Sequence, residues 1–108
     1  MILDFFRTKQ LEYTKSSDTE RLGVLRYFLS KVKNREIELR PQNQELTDEI
    51  VYRVLKKQVK QINETIEMCK MAKRPEALEK AEKELAILEE FKKAFPPELT
   101  EEKEVHAR

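Results

Sequence analysis

The stretch TDEIVYRVLKKQVKQINETIEMCKMAKRPEALEKAEKELAILEEF, residues 47–91, contains two apolar stripes at helical spacing, separated by a short polar link. The first stripe repeats at near-heptad intervals, and its members are Val51, Val54, Leu55, Val59, Ile62, Ile66 and Cys69. The second stripe consists of Leu78, Ala81, Leu85, Leu88 and Phe91. Because a link of only a few residues forces its two helices to be antiparallel neighbours, this stretch predicts a long helical hairpin.

The ends of the hairpin helices also have sequence signals. Thr47 is the predicted N-cap of the first helix, and the acids Asp48 and Glu49 follow it, where they oppose the positive end of the helix dipole. Pro75 is suited to the first position of the second helix, because its missing N–H would be unpaired there anyway. The run Phe95-Pro96-Pro97 ends that helix.

Two further helices are predicted before the hairpin. The first covers about residues 2–15, and its apolar positions are Ile2, Leu3, Phe6 and Leu11. The second begins at the S-x-x-E capping box of Ser17 and Glu20 and ends near Leu39, before Pro41. Its apolar face consists of Leu22, Leu25, Phe28, Leu29 and Val32. Gly23 lies inside this helix at a cost of about 1 kcal/mol relative to alanine, which predicts a close approach by another helix.

Charged residues make up 40% of the 108-residue chain and apolar residues 39%, with one glycine and no tryptophan. This balance suits amphipathic helices better than strands, which need β-branched and aromatic runs and glycine-rich turns. We therefore expect an all-α fold of four helices, in which the two N-terminal helices pack across the long antiparallel hairpin. Residues 1–95 form the predicted helical domain, and residues 96–108 a linker or the truncated start of a C-terminal subdomain.

The side-chain chemistry argues against catalysis. The only imidazole is His106, near the end of the chain, and the only thiol is Cys69, predicted to be a small buried hydrophobe, so a catalytic triad or a zinc site is not expected. Glu82 and Glu89 lie a heptad apart, but carboxylates in so charged a helix are more often solvated. The sequence predicts no catalytic residue, no metal ligands and no cofactor.

The apolar runs are too short for a membrane protein. None approaches the roughly 18 residues of a membrane span, and the start MILDFFRTK lacks the basic and apolar regions of a secretion signal. With a single cysteine, the chain also fits a reducing compartment. We expect a cytoplasmic protein without membrane contact.

Basic residues are the main functional signal. Residues 1–74 carry 16 Lys/Arg against 11 Asp/Glu (+5), whereas residues 75–108 carry 6 against 10 (−4). The candidate RNA-binding residues are Arg26, Lys33 and Arg40, spaced every seven residues, and Arg53, Lys56, Lys57 and Lys60 on adjacent turns. Such point charges can bind a phosphate backbone without base contacts. The alternative, which such a pattern more often represents, is a solvated face with ordinary ion pairs.

Eight short segments, in this order and with these gaps, resemble the YqeY family, also called the GatB/YqeY family. They are ERLGVLR (20–26), REIE (35–38), ELTDE (45–49), VLKK (54–57), KQ (60–61), RPEAL (74–78), EKELAIL (82–88) and FPPELTEE (95–102). Together they extend over nearly the whole chain. One departure is Lys73, which stands where the family often has glycine.

The resemblance implies an all-α N-terminal helical domain. In the family it precedes a smaller subdomain similar to the tail of the GatB subunit of the tRNA-dependent amidotransferase, which helps to hold tRNA. The implied function is a non-catalytic accessory module that binds tRNA or other structured RNA. The alternative is a protein-interaction module that docks through its helical hairpin or its acidic fourth helix. The family label also suggests a carbon–nitrogen ligase with glutamine as amido donor, but no residues here support that activity.

Overall fold

The computed structural model describes residues 1–99, which form four α-helices and one 3-10 turn. The helices are α1 (Ile2–Lys15), α2 (Thr19–Leu39), α3 (Asp48–Met71) and α4 (Pro75–Lys93), and the 3-10 turn, Arg40–Gln42, follows α2. No strand occurs within the described residues. The predicted all-α fold of four helices is therefore confirmed, and their predicted bounds agree closely with the observed ones.

The most extensive helix pair is α3 with α4, which form the predicted hairpin. Thr47 caps α3, because its Oγ1 accepts a hydrogen bond of 3.3 Å from the backbone N–H of Ile50. At the other end of α3, the N–H of Arg74 donates to the carbonyl of Cys69 at 3.1 Å, and Lys73 has a positive φ of 54°. This is a Schellman turn, and it brings Pro75 directly into the first turn of α4.

A second Schellman turn ends α1 and corrects one predicted cap. Ser17 has a φ of 58°, and the N–H of Asp18 donates to the carbonyl of Tyr13 at 2.9 Å. Because Ser17 is used in ending α1, it cannot cap α2. The N-cap is Asp18, whose carboxylate accepts the backbone N–H of Arg21 at 3.2 Å. The predicted capping box of Ser17 and Glu20 is therefore wrong by one residue.

An aromatic cluster, consisting of Phe6, Phe28, Tyr52, Phe91 and Phe95, joins all four helices. The ring of Phe6 lies at its centre, with centroid distances of 5.3 Å to Phe28, 5.5 Å to Phe91 and 5.7 Å to Phe95. Tyr52 contacts Phe95 at 5.1 Å. All five side chains are buried, so the core lies where α3 begins and α4 ends.

The apolar stripes account for much of the remaining core. Their other buried members are Leu3, Leu25, Val32, Val51, Leu55, Ile66, Ala81 and Leu88. Leu11, predicted for the apolar face of α1, is instead 65% exposed, because it lies on a different side of α1 from Leu3, Phe6 and Tyr13, which pack against the core. Cys69 is only half-buried, since it lies near the thin end of the hairpin. Tyr52 and Ile87 are buried although neither belonged to a predicted stripe.

The predicted reason for Gly23 is also wrong. A Cβ at this position would have no atom within 4 Å outside its own stretch of helix. Gly23 is exposed, and no other helix approaches it closely. The close contacts of α2 with α3 and α4 are instead made by larger side chains such as Leu25 and Phe28.

Candidate nucleic-acid interface

All seven predicted RNA-binding side chains are exposed, but those of α2 are partly neutralised. Arg26 and Lys33 lie on the solvent side of α2, and Arg40 begins the 3-10 turn. The carboxylate of Glu36 lies 3.4 Å from the Lys33 ammonium and 3.9 Å from the Arg40 guanidinium. Of this set, Arg26 alone has no ion pair within residues 1–99, so α2 offers little uncompensated positive charge.

The predicted RNA-binding residues of α3 lie closer together than those of α2. Arg53, Lys56, Lys57 and Lys60 lie on adjacent turns of one helix, so their side chains share one side of it. The guanidinium of Arg53 binds the carboxylate of Glu49 at 2.6 Å. The other three have no ion pair within the described part of the chain. We call Lys56, Lys57 and Lys60 the α3 lysine patch.

The patch borders an open groove along α3, of about 590 Å³. Its lining runs from Lys56, Val59 and Lys60 to Glu64 and Glu67. The sign of the charge thus reverses about one turn beyond Lys60, which limits the positive surface to two turns of helix, or roughly 11 Å of its length.

Sequence reasoning missed the basic turn of the hairpin. Lys70, Lys73 and Arg74 are exposed around the Schellman turn, and only Lys70 has an acidic neighbour among the described residues, Glu67 at 3.6 Å. Met71, between them, is 84% exposed. The signal was present in the run KMAKRP at residues 70–75, because three of its six residues are cationic.

Arg21 is a further basic residue of α2, but its guanidinium binds acidic side chains of the protein itself. Its guanidinium binds Glu90 of α4 through two hydrogen bonds of 3.0 and 2.7 Å, and Asp18 at 2.9 Å. Hydrogen bonds from this guanidinium lower the pKa of Glu90 and that of Asp18 below their usual values. Because three of its five N–H groups donate to these two carboxylates, Arg21 joins α2 to α4 and its charge is compensated.

The sequence was compared with models of protein families, and one of them matches the chain. The family model described as Yqey-like protein covers residues 5–107. The chain belongs to the YqeY family. This confirms the resemblance based on the segments from ERLGVLR to FPPELTEE. A comparison with curated proteins gives no match to this YqeY-like chain.

The described part of the YqeY-like domain has neither a metal site nor a membrane-spanning helix. Among residues 1–99, no three His, Cys, Asp or Glu side chains are grouped so that they could hold a metal ion. No helix in this part of the chain is both long and apolar enough to cross a membrane. His106 and most of the predicted linker, residues 96–108, lie outside the described residues, so the proposed domain boundary remains a prediction.

Proposed function

We propose that this YqeY-like protein is a non-catalytic helical module that binds the phosphate backbone of tRNA or another structured RNA. The observation that carries the proposal is the α3 lysine patch, three exposed cations on one helix face without acidic partners among residues 1–99. The family resemblance suggests that the module assists a tRNA-dependent amidotransferase of the GatB type, which would act in the cytoplasm.

The type of contact follows from the side chains around the patch. Lysine ammonium groups are point charges that neutralise phosphates without reading bases. Base stacking would need exposed aromatic rings beside the patch, but Tyr52, the aromatic residue of α3, is buried, and the exposed rings of Phe5 and Tyr27 lie on α1 and α2. The proposed ligand is therefore bound through its shape and charge, as is common for folded RNA.

Binding of tRNA at increasing salt concentration tests the proposal. We expect Lys56→Gln/Lys57→Gln/Lys60→Gln to weaken binding and to lower the slope of log K against log salt by about 2 to 3, because each lost phosphate contact removes roughly one released counterion. Lys15→Gln/Lys80→Gln/Lys93→Gln is the matched control, since it removes the same charge from exposed positions on two other helices, α1 and α4. Equal effects of the two variants would contradict a localised site.

A non-catalytic role is consistent with the same geometry. The exposed carboxylates Glu82 and Glu89 lie on the solvent side of α4, and the half-buried thiol of Cys69 has no imidazole within the described residues to activate it. We therefore expect Cys69→Ser to leave RNA binding unchanged. An amide-transfer activity that depended on Cys69 would contradict the proposal.

A second candidate is protein docking through the end of the hairpin. The seam between α3 and α4 is largely buried, but Met68 and Met71 near the turn are 69% and 84% exposed. Exposed methionines suit adaptable protein contacts. Light scattering of a mixture with the amidotransferase would test this role. A complex that Met68→Gln/Met71→Gln abolishes while tRNA binding persists would favour docking over RNA binding.

A further inference from the structure

Gly23 is the only glycine of the chain, and it lies exposed inside α2. A glycine in a helix costs about 1 kcal/mol relative to alanine. Nothing within the described chain requires it, because its φ is not positive and a Cβ there would meet no atom within 4 Å beyond its own helix. The missing side chain therefore keeps open a space that the protein's own packing does not use.

That space is a cleft of about 610 Å³ between α2 and the N-terminal half of α4. Its apolar lining comes from Gly23, Val24 and Ile87. A neighbouring opening of about 470 Å³, also lined by Gly23 and Val24, extends to Ile62 and Gln58 of α3. Spaces of this size hold a few side chains, as when one face of an amphipathic helix lies in a groove. A glycine in the wall lets the docked backbone approach closely.

The charges at the rim are mainly acidic. Three glutamates line the cleft and form no ion pair within residues 1–99: Glu20, Glu76 and Glu84. Of the two lysines there, Lys83 has its ammonium 3.6 Å from Glu79, which leaves Lys80 as the cation without an acidic partner in that part of the chain. The uncompensated charge is negative, and it complements lysine or arginine on a ligand. We call this feature the acidic cleft.

The side-chain amide of Gln58, beside the acidic cleft, has an oxygen without a hydrogen-bond donor among the described residues. Its Oε1 is buried and accepts no hydrogen bond from the described residues, and the side chain lines the opening that adjoins the acidic cleft. A buried carbonyl oxygen without a donor costs about 1–3 kcal/mol. If the Gln58 side chain turns its Oε1 into the opening, an N–H group of a bound ligand can donate to it and remove this cost.

We infer that the acidic cleft docks an amphipathic helix of a partner protein, rich in lysine or arginine, with small or aliphatic side chains on its apolar face. The apolar side chains of this helix lie on Val24 and Ile87, and its cations reach the three glutamates. None of the lysines of the α3 lysine patch lines the cleft or its neighbouring opening. The site goes beyond RNA binding and provides a second, oppositely charged surface.

A labelled peptide tests the site on the full chain. The probe has about 18 residues, or roughly five helical turns, with leucine and alanine on one face and lysine on the other. Fluorescence anisotropy should show binding to the wild type. Gly23→Leu fills the cleft without changing charge and should weaken binding about tenfold or more. Gly23→Ala adds one methyl group and should raise the thermal midpoint, with a smaller effect on the peptide.

Charge variants keep the test decisive if Gly23→Leu does not fold. Glu76→Gln/Glu84→Gln should weaken binding about tenfold, whereas Glu82→Gln/Glu89→Gln removes the same charge outside the cleft and should have little effect. Equal binding by all variants, equal binding of a Glu/Leu peptide, or no binding by the wild type would overturn the inference. So would a wild-type dimer in sedimentation that Gly23→Leu dissociates, because a second copy would then be the occupant.

Discussion

Three residues of the described chain other than glycine have left-handed backbone conformations: Ser17, Asn43 and Lys73, with φ of 58°, 55° and 54°. In each case the next amide donates to a carbonyl five residues earlier, which ends a helix or a 3-10 turn. Asparagine tolerates this conformation, but for other side chains it costs about 1–2 kcal/mol, which glycine avoids. Lys73 thus carries backbone strain that a glycine at this position would not have.

Replacement of Lys73 by glycine should therefore stabilise the protein. We expect Lys73→Gly to raise the free energy of unfolding by about 0.5–1 kcal/mol, since the relief of strain exceeds the added entropy of the unfolded chain. Lys70→Gly, inside the last turn of α3, should lower it by about 1 kcal/mol instead. Urea unfolding measures both. Similar losses in the two variants would contradict the assigned backbone strain.

Phe6 and Phe5 are neighbours with opposite environments. Phe6 is fully buried among the rings of the aromatic cluster, whereas Phe5 is 43% exposed. We expect Phe6→Ala to cost about 3–5 kcal/mol, because it leaves a cavity at the point where all four helices meet. Phe5→Ala should cost no more than about 1 kcal/mol and is the matched control. Denaturant midpoints measure this difference in stability. Equal midpoints for the two variants would contradict the central position of Phe6 in the aromatic cluster.

Among helices, the ion pair of Arg21 with Glu90 predicts a pH dependence. Glu90 and Asp18 have lowered pKa values, so their contribution to stability is present above their ordinary values of 4.5 and 3.8 and is lost as pH falls below them. At pH 7 we expect Arg21→Met to lose up to about 1 kcal/mol from the solvent-exposed pair with Glu90.

The difference between Arg21→Met and the wild type should shrink in acid, as Glu90 becomes protonated. Arg7→Met is the control, because Arg7 has only a distant pair, 3.9 Å from Asp4 within its own helix. Thermal midpoints at neutral and acid pH measure the effect. If the loss for Arg21→Met stayed the same at both pH values, the ion pair would not be its cause.

The helices themselves could be predicted from the sequence, because their signals are local. Thr47, Pro75 and the apolar stripes each act within a few residues, and all three gave the observed elements. The cap of α2 was assigned to Ser17 instead of Asp18, because two adjacent residues can both cap and the choice depends on how α1 ends. Leu11 was misplaced since its exposure depends on where the other helices lie.

The candidate site was predictable to a similar extent. The α3 lysine patch follows from helical spacing, and the pairing of Arg53 with Glu49 four residues earlier was also readable as an i,i+4 pair. The acidic cleft was not predictable, because it arises where α2 crosses α4. Residues more than 50 positions apart in sequence, such as Gly23 and Ile87, form it together.

At the scale of the whole molecule, the helices are packed more closely at one end than at the other. The aromatic cluster fills one end, while at the far end of the hairpin Ile66 and Ala81 are buried next to exposed Met68 and Met71. The radius of gyration is 15.1 Å, whereas a compact domain of this length would have about 13 Å. The hairpin end, where residues 70–77 are all exposed, contributes to this extent.

Native-state hydrogen exchange should reveal this inequality. Amides of α2 and α3 near Phe28 and Leu55 should exchange only by global unfolding, and those of residues 67–79 by local opening at a lower free energy. Lys73→Gly should slow exchange around the turn more than exchange near Phe28. Uniform protection along α3 would contradict the proposed difference between its two ends.

The single cysteine of the chain offers a practical consequence. Cys69 lies half-buried in the last turn of α3, on the side of the hairpin that packs thinly. Its thiol is partly accessible, so the rate of its reaction with a maleimide dye depends on that access and rises as the hairpin end opens. The labelling rate of Cys69 in the natural chain therefore reports on opening of the hairpin end. A bound partner that covers this end will lower the labelling rate.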